Sequence, residues 1–267
     1  MTVNPELAQR LTVAELAVLG SVGGIDSWPV VLDLWRDPSH AGTAAVGDPA
    51  SSDSLHRRGL MECGELSMFS TIVLGTMARA EREIEMRSIT GAGIRRGYLA
   101  RRGYDHILAL RDGEDVELSV INVSALADLG AAVARFCGQH PAMEFTEFAT
   151  PLADFTAATE NCSDDEDLAS AMLALGACPA DARRLGSAIS QTTTRTEIVA
   201  VARKDGAMVQ TSGAIGVLDS DRGRILLVPS KSPDGSRWVT VTPGQADRIG
   251  RAVPRLIETF PRHPWFR

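Results

Sequence analysis

The sequence lacks an excess of positive charge and a long apolar run, and each absence excludes a class of protein. Its 267 residues carry a formal net charge of -7, so the chain has no basic footprint for nucleic-acid phosphates. No run approaches the ~20 apolar residues that a membrane span needs, and no export signal precedes the first polar helix. We therefore expect a cytoplasmic protein that neither inserts into a membrane nor binds nucleic acid.

Cysteine and histidine are also too scattered to indicate a metal site. The cysteines form no CxxC pair and have no histidine at a zinc-type spacing. In a cytosolic protein they are expected to be reduced thiols. The sequence therefore predicts neither a metal nor a cofactor. The cysteines are Cys63, Cys137, Cys162 and Cys178.

Motifs for catalysis are missing as well. No serine lies in a GxSxG elbow. The run from Gly91 to Gly97, GAGIRRG, departs from the dinucleotide spacing and leads into a strand, which favours a plain hairpin turn. The sequence therefore predicts no catalytic residue. One alternative stays open, namely a small-molecule enzyme or ligand sensor that uses His106, Tyr104 or a Cys178 activated at a helix start.

What the first half does contain is a pattern of helices, then four strands, then a helix. Residues 1–10 read as a polar tail, and a capping box of Thr12 and Glu15 begins the first helix. Ser124 is expected to cap the helix that closes this half. The elements before the sheet are a strand over Trp28–Trp35, a loop over Pro38–Pro49 and helices over Ser52–Arg58 and Glu65–Arg79. The strands are predicted over Glu83–Ile89, Ile94–Arg101, Tyr104–Arg111 and Asp115–Val123.

The links between these four strands are so short that only antiparallel neighbours can form. Alternation in the first strand places Ile84 and Met86 on the covered face. The opposite face is expected to be exposed and to form cross-strand ion pairs, each contributing ~0.2–1 kcal/mol. That face carries Glu83, Glu85, Arg95, Arg101 and Arg111.

The second half repeats this order of elements. A short helix is predicted over Leu152–Thr159, and a capping box over Ser163–Glu166 begins the next helix. Pro179 opens a further helix that buries Leu185 and Ile189. Four strands follow, separated by turns at Lys204–Gly206, Ser220–Gly223 and Pro233–Gly235. The closing helix carries an apolar stripe of Ile249, Val253, Leu256 and Phe260, and Pro254 is expected to kink it near Gly250.

The repeated order predicts an α+β fold with two quasi-symmetric halves. The first subdomain covers residues 1–138 and the second covers residues 139–267. Two half-sheets of this type can join across a pseudo-two-fold axis into one central antiparallel sheet with flanking helical bundles. Two α+β subdomains that lie side by side are the alternative.

Several short motifs occur in an order that resembles the EspG family, the secretion-associated proteins of the ESX (type VII) systems of mycobacteria and related actinobacteria. The N-terminal motifs are Leu11–Val13, Trp28–Val30, Leu99–Gly103 and Ala109–Arg111. The C-terminal motifs are Thr196–Ala200, Gly216–Arg224, Val228–Ser230, Thr240–Gly244 and Pro264–Phe266. Together they span nearly the whole chain.

This resemblance implies a cytosolic chaperone rather than an enzyme. Members of the family bind PE–PPE heterodimers at the tip of the PPE helical bundle, keep them soluble and target them for export. The resemblance also implies that the partner meets a loop between two strands and the C-terminal helical bundle. The partner-binding residues expected here are Thr90, Gly91, Ala92, Gly93, Cys178, Asp181, Arg184, Leu185, Ser187, Arg203 and Lys204. The sequence leaves open whether the free chain is a monomer or a homodimer.

Overall fold

The structure is a computed structural model that describes residues 3–34, 49–162, 164–204, 207–211, 213–260 and 265–266. The chain forms two compact units. Unit 1 comprises Met1–Glu85, Ile94–Ser124 and Val201–Met208, and unit 2 comprises Met86–Gly93, Ala125–Ala200 and Val209–Arg267. The expected division into 1–138 and 139–267 concerns a structural duplication, and it stays a prediction.

Thirteen strands and eight α-helices make up the described part of the chain. The strands are β1 (Val3–Thr12), β2 (Met61–Glu62), β3 (Glu65–Leu66), β4 (Arg82–Thr90), β5 (Gly93–Arg102), β6 (Asp105–Asp112), β7 (Asp115–Ile121), β8 (Phe148–Pro151), β9 (Thr194–Lys204), β10 (Ala207–Gln210), β11 (Ile215–Ser220), β12 (Gly223–Lys231) and β13 (Arg237–Pro243). The helices are α1 (Val13–Val22), α2 (Pro49–Arg57), α3 (Met68–Ala78), α4 (Leu126–Cys137), α5 (Leu152–Asn161), α6 (Asp165–Ala174), α7 (Pro179–Ser190) and α8 (Ala246–Glu258).

Most of these strands belong to one large sheet. The strand order is β1-β7-β6-β5-β4-β9-β11-β12-β13-β8, with β10 paired to β9, while β2 and β3 form a separate hairpin. The pairs β5–β6, β6–β7, β11–β12 and β12–β13 are antiparallel, as are β1–β7 and β8–β13. The predicted α+β class with a large antiparallel sheet is confirmed, whereas the two quasi-symmetric halves and the flanking helical bundles stay a prediction.

Each unit has its own apolar core. In unit 1, the helices α1 and α3 and the strands β5 to β7 bury a cluster that includes Leu16, Leu74 and Tyr98. In unit 2, α5, α6 and α7 bury a second cluster with β11 to β13, and Leu185 is a fully buried member of it. The predicted burial of Leu185 and Ile189 is confirmed.

The beginning of the chain differs from its prediction. Residues 1–10 were expected to form a polar tail, but Val3–Thr12 is the strand β1, which pairs with β7. Polar and charged residues are common in a strand at the end of a sheet, where they discourage pairing with another chain. The capping box of Thr12 and Glu15 is confirmed, since each side chain accepts a hydrogen bond from the backbone N–H of the other.

Three other local predictions also need correction or fall outside the described residues. No strand forms over Trp28–Trp35 where it is described; instead Val30–Leu32 is a short 3₁₀ turn, and Trp35 is outside the description. Most of the Pro38–Pro49 loop is outside it too. The cap of α4 is at Ala125, not Ser124, and its N–H donates to Asp128.

The two other predicted caps have clear outcomes. Ser163 of the expected capping box is outside the described residues, and Asp164 caps α6 by accepting from the backbone N–H groups of Glu166 and Asp167 at 2.9 Å. Pro179 opens α7 as predicted.

The face of the sheet that was expected to be exposed is partly covered. Glu83 and Arg101 are buried. Glu83 forms an ion pair with Arg203, and Arg101 forms one with Glu81 at 2.7 Å. Glu83 and Arg101 therefore form ion pairs, but with Arg203 and Glu81, which were not among the residues expected to pair, and the expected exposure of Glu83 and Arg101 was wrong. Strict alternation assumes that only one face of a sheet is covered, and that assumption fails here.

The C-terminal strands number five rather than four. The second predicted strand is divided into β10 and β11, between which Thr211 donates its backbone N–H to Ala200. The closing helix is confirmed as α8 with Ile249, Val253 and Leu256 buried and Pro254 inside it. Of the three predicted turns, the one at Lys204–Gly206 includes residues outside the description.

Candidate functional site

The turn between β4 and β5 is the first predicted contact region. Thr90, Gly91, Ala92 and Gly93 are all exposed. The Thr90 hydroxyl accepts from the Ala92 N–H at 3.2 Å and donates to the Gly93 carbonyl at 3.3 Å, which fixes the turn. The neighbouring Ile89 is 37% exposed. The turn therefore presents a small, ordered and mostly apolar surface.

The second predicted contact region, on α7, is mostly buried. Leu185 and Ser187 are buried, and the Ser187 hydroxyl accepts from Arg222 at 2.9 Å. Asp181 and Arg184 form an ion pair at 2.6 Å. Hydrogen bonds from the Thr146 N–H and from Arg184 lower the pKa of Asp181. Of the predicted α7 residues, Arg184 is the exposed one, and Cys178 is partly exposed.

The exposed apolar surface of this bundle lies instead where α6 turns into α7. We call Leu173–Ala180 the apolar tip; its sequence, LALGACPA, contains no charged residue. Leu173 is 49% exposed, although it is a large aliphatic side chain. Ala174, Gly176, Pro179 and Ala180 are exposed as well. An exposed apolar group of this kind is typical of a protein–protein contact.

Tight helix packing supports the apolar tip. At Gly186 of α7, an added Cβ would lie 2.5 Å from the Ala169 N atom of α6, so the two backbones touch. Gly176 has a φ of 101°, a conformation that glycine adopts readily. The Ala177 N–H donates to the Met172 carbonyl at 2.9 Å, which closes the end of α6. Sequence reasoning selected only Cys178 of this tip, although the run of eight uncharged residues at the turn from α6 to α7 was a visible signal.

The third predicted region, Arg203 and Lys204, is in part a buried ion pair. Arg203 pairs with Glu83, which is 2% exposed, and this pairing raises the pKa of Arg203. Burial, and after it the Glu83 carboxylate, raises the pKa of the Tyr98 phenol well above its usual range. Arg203 therefore has a structural partner of its own, and the side chain of Lys204 is outside the description.

The alternative of an enzyme pocket near His106 and Tyr104 finds no support in their positions. The Tyr104 side chain is fully exposed on the β5–β6 turn, whereas His106 is 5% exposed. His106 Nδ1 lies 3.1 Å from the Tyr104 carbonyl oxygen, so its link to Tyr104 is through the backbone. Cys178 belongs to unit 2. The Tyr104 side chain therefore faces solvent, while the His106 side chain lies in the interior.

The buried His106 should make stability depend on pH. Burial is the main cause that lowers its pKa; the hydrogen bond to the Tyr104 carbonyl opposes this in part, and the smaller effects of Arg101 and Asp105 lower and raise the pKa, respectively. Because the pKa of His106 is lower in the folded state than in the unfolded state, the folded state is favoured at a pH above the unfolded-state pKa of about 6.5. This stability is lost as the pH falls toward the folded-state pKa. We expect His106→Gln to reduce the loss of unfolding free energy between pH 7.5 and 5.5, measured by urea unfolding at both pH values.

The control for this experiment is His56→Gln, which changes an exposed histidine. It should follow the wild-type pH dependence, because the exposed His56 side chain is in contact with water in both the folded and the unfolded state. The slope attributable to His106 is at most about 1.4 kcal/mol per pH unit. Identical pH dependence of His106→Gln and wild type would contradict the assignment.

The described residues contain neither a candidate metal site nor a candidate membrane-spanning helix. Within the described ranges, no three His, Cys, Asp or Glu residues are grouped so that they could hold a metal ion. Among the helices in those ranges, none combines the length and the apolar character required to cross a membrane.

Known proteins and a family model are similar to this chain over most of its length. A family model described as the EspG family matches residues 12–255. The ESX-3 secretion-associated protein EspG3 of Mycolicibacterium smegmatis is 31% identical over 262 residues, which cover 97% of this chain and 89% of that protein. The ESX-1 secretion-associated protein EspG1 of Mycobacterium tuberculosis is 31% identical over 196 residues, covering 71% and 65% of the two chains.

A solved structure has the same fold. It is the Mycobacterium tuberculosis type VII secretion system chaperone EspG5 in complex with a PE25–PPE41 dimer. The TM-score is 0.81 at 16% sequence identity, and the match covers 97% of this chain and 98% of that chain. The similarity establishes the arrangement of strands and helices.

Proposed function

Because this chain belongs to the EspG family, we propose that it is a cytosolic chaperone of a type VII secretion system that binds a PE–PPE heterodimer. The chaperone would hold the helical tip of the PPE protein, keep the pair soluble and target it for export. EspG5, which shares this fold, has been solved in complex with a PE25–PPE41 dimer. The secretion-associated names of the relatives favour binding over catalysis.

The observation that carries the proposal is the apolar tip, Leu173–Ala180. The end of an amphipathic helical bundle exposes apolar side chains, and a partner covers it best with an apolar surface bordered by polar groups. The tip supplies the apolar surface. Arg184, held by Asp181 at 2.6 Å, supplies a polar border close by on α7. Binding there would shield both apolar surfaces from self-association.

The other predicted contact residues remain part of this proposal, and they would contribute to binding in different ways. Thr90–Gly93 is exposed and ordered, so it can contact a partner without rearrangement. Leu185 and Ser187 are buried and would support the tip from within. Arg203 would contribute only its exposed part, because its guanidinium already pairs with Glu83.

The test is co-expression with a PE–PPE pair encoded beside the gene, followed by measurement of the dissociation constant. The wild-type chain should purify as a ternary complex. Leu173→Asp replaces the large exposed apolar side chain of the tip by a charge, and loss of a dominant interface contact typically costs about 2 kcal/mol or more. We therefore expect its dissociation constant to rise by about thirtyfold or more.

Met68→Asp is the matched control, since Met68 is also an exposed apolar residue, at the start of α3 in unit 1. An acid in the first turn of a helix is tolerated, so this variant should bind like wild type. If Leu173→Asp binds as tightly as Met68→Asp, the tip is not the site. If the wild-type chain forms no complex with any neighbouring pair, the chaperone function itself fails.

We also propose that the fold contains two quasi-symmetric halves with flanking helical bundles, divided near residue 138. The support is the repeated order of elements. The strands β4 to β7 are followed by α4, and the strands β9 and β11 to β13 are followed by α8. The helices α4 and α8 pack against each other at Gly130 and Gly250, as equivalent helices would about a pseudo-two-fold axis.

A further inference from the structure

The strand β1 lies at one end of the sheet, and its open edge is the feature from which we infer a further property. In the strand order of the described chain, β7 is its one neighbour. An open edge presents unpaired N–H and C=O groups to which another strand can add. Natural proteins protect such edges, and the means of protection can be read from the groups that face outward.

Two outward backbone groups of β1 are occupied by side chains. The Thr12 N–H donates to Glu15 Oε2 at 2.9 Å, and the Arg10 carbonyl accepts from Arg58 Nη2 at 2.7 Å. The N–H and C=O of one strand residue point to the same side, and residues two apart share that side. Because the Thr12 N–H is bound to Glu15, this side is the one that faces away from β7.

These side chains are held together as one group. Arg58 Nη1 lies 3.4 Å from both carboxylate oxygens of Glu15, and Arg58 also donates to the Gln9 side chain at 3.0 Å. Ser54 of α2 donates to Glu15 at 2.7 Å. Glu15 is buried, and Arg58 is partly exposed. The group therefore joins the start of α1 to the end of α2 across the edge of β1.

The chemistry of this group imitates that of a neighbouring strand. A strand added at this edge would offer a carbonyl to the Thr12 N–H and an N–H to the Arg10 carbonyl. The Glu15 carboxylate takes the place of that carbonyl, and the Arg58 guanidinium takes the place of that N–H. We propose that the Glu15–Arg58 pair is a plug that prevents a second copy of this chain from adding its own β1 to the edge.

A second copy fits this edge because two antiparallel copies of β1 are self-complementary. An isologous pair repeats each contact twice, so every outward donor of one strand meets an outward acceptor of the other. The contact would also require the same two groups, on Arg10 and Thr12, that the plug now occupies. Self-association through β1 is therefore expected only when the plug is removed.

The test compares Arg58→Ala with wild type by sedimentation velocity and light scattering over a range of protein concentrations. We expect the variant to reach about twice the wild-type mass, in a concentration-dependent way. Arg57→Ala is the matched control, because Arg57 is the exposed residue next to Arg58, at the end of α2, and binds only the Asp53 carbonyl among its described contacts. This control should behave as wild type. Equal masses for the folded Arg58→Ala and Arg57→Ala variants would overturn the proposal.

A rescue variant shows whether the association uses β1. The Arg10 N–H points outward like its carbonyl, so Arg10→Pro costs no backbone hydrogen bond to β7 while it blocks strand addition. It also removes the exposed ion pair of Arg10 with Asp115 at 2.7 Å, and an exposed pair of this kind contributes only about 0–1 kcal/mol. Arg58→Ala with Arg10→Pro should return to the wild-type mass. Association that persists in the double variant would overturn the proposal.

A measurement on the wild-type chain covers the case in which Arg58→Ala does not fold. Amide hydrogen exchange, followed by NMR, should protect the Thr12 N–H far more than the outward Arg10 N–H in the same strand. Equal exchange of the two amides would mean that Glu15 does not occupy the edge, and the proposal would then fail.

Discussion

Arg224→Ala should cause the largest loss of stability in the chain. Arg224 is 2% exposed and binds both carboxylate oxygens of Asp219, at 2.6 and 2.7 Å. Its guanidinium also donates to the carbonyls of Cys137 and Gly138 at the end of α4. Removing one partner of a buried pair leaves the other charge uncompensated, which costs about 3–5 kcal/mol. In a chain of this size we expect the melting temperature to fall by roughly 10 °C.

Arg222→Ala is the control, since Arg222 lies two residues away and is exposed. It loses one hydrogen bond to Ser187, which is worth about 1 kcal/mol. Calorimetry and urea unfolding of both variants measure the difference. If both variants lost the same stability, Arg224 would not hold the end of α4 as its contacts indicate.

The second large effect concerns the contact between α4 and α8. A Cβ added at Gly130 would lie 2.1 Å from the Gly250 carbonyl oxygen, a distance at which the backbones must separate. Overpacking of this kind typically costs ~1–3 kcal/mol of stability. We expect the cost of Gly130→Ala to lie at or above the upper end of this range, because the obstructing atom belongs to the backbone of α8. The midpoint of urea unfolding should fall accordingly.

Gly250→Ala tests the same contact from the other helix and should have the opposite sign. Its added Cβ would lie 3.8 Å from the Gly130 C and O atoms, which is ordinary contact. Alanine is a better helix former than glycine by about 1 kcal/mol, so this variant should unfold at higher urea. Equal effects of the two substitutions would show that the helices do not meet in this geometry.

Most strands and helices could be predicted from the sequence because their signals are local. Asp112–Gly113 and Pro233–Gly235 are turns between apolar runs, and Thr12 with Glu15 marks a helix start by its own hydrogen bonds. β1 could not be predicted in this way. Its place depends on pairing with β7, more than a hundred residues away in sequence, for example Arg10 with Glu117.

The candidate site was predicted less well, for a similar reason. The exposure of a residue on α7 depends on which side α6 occupies, and the touching backbones at Gly186 and Ala169 decide that. The sequence therefore indicated the bundle that carries the apolar tip but selected Leu185, which is in the core. The exposed residues, such as Leu173, lie just before the predicted range.

The order in which unit 2 is assembled has a consequence for synthesis on the ribosome. The helix α4 ends at Cys137 but packs on α8, and the strand β8 pairs with β13, which begins at Arg237. Contacts so distant in sequence form late and slow the search for the native state. The early part of this unit must therefore wait, incompletely folded, until nearly all of the polypeptide has emerged from the exit tunnel.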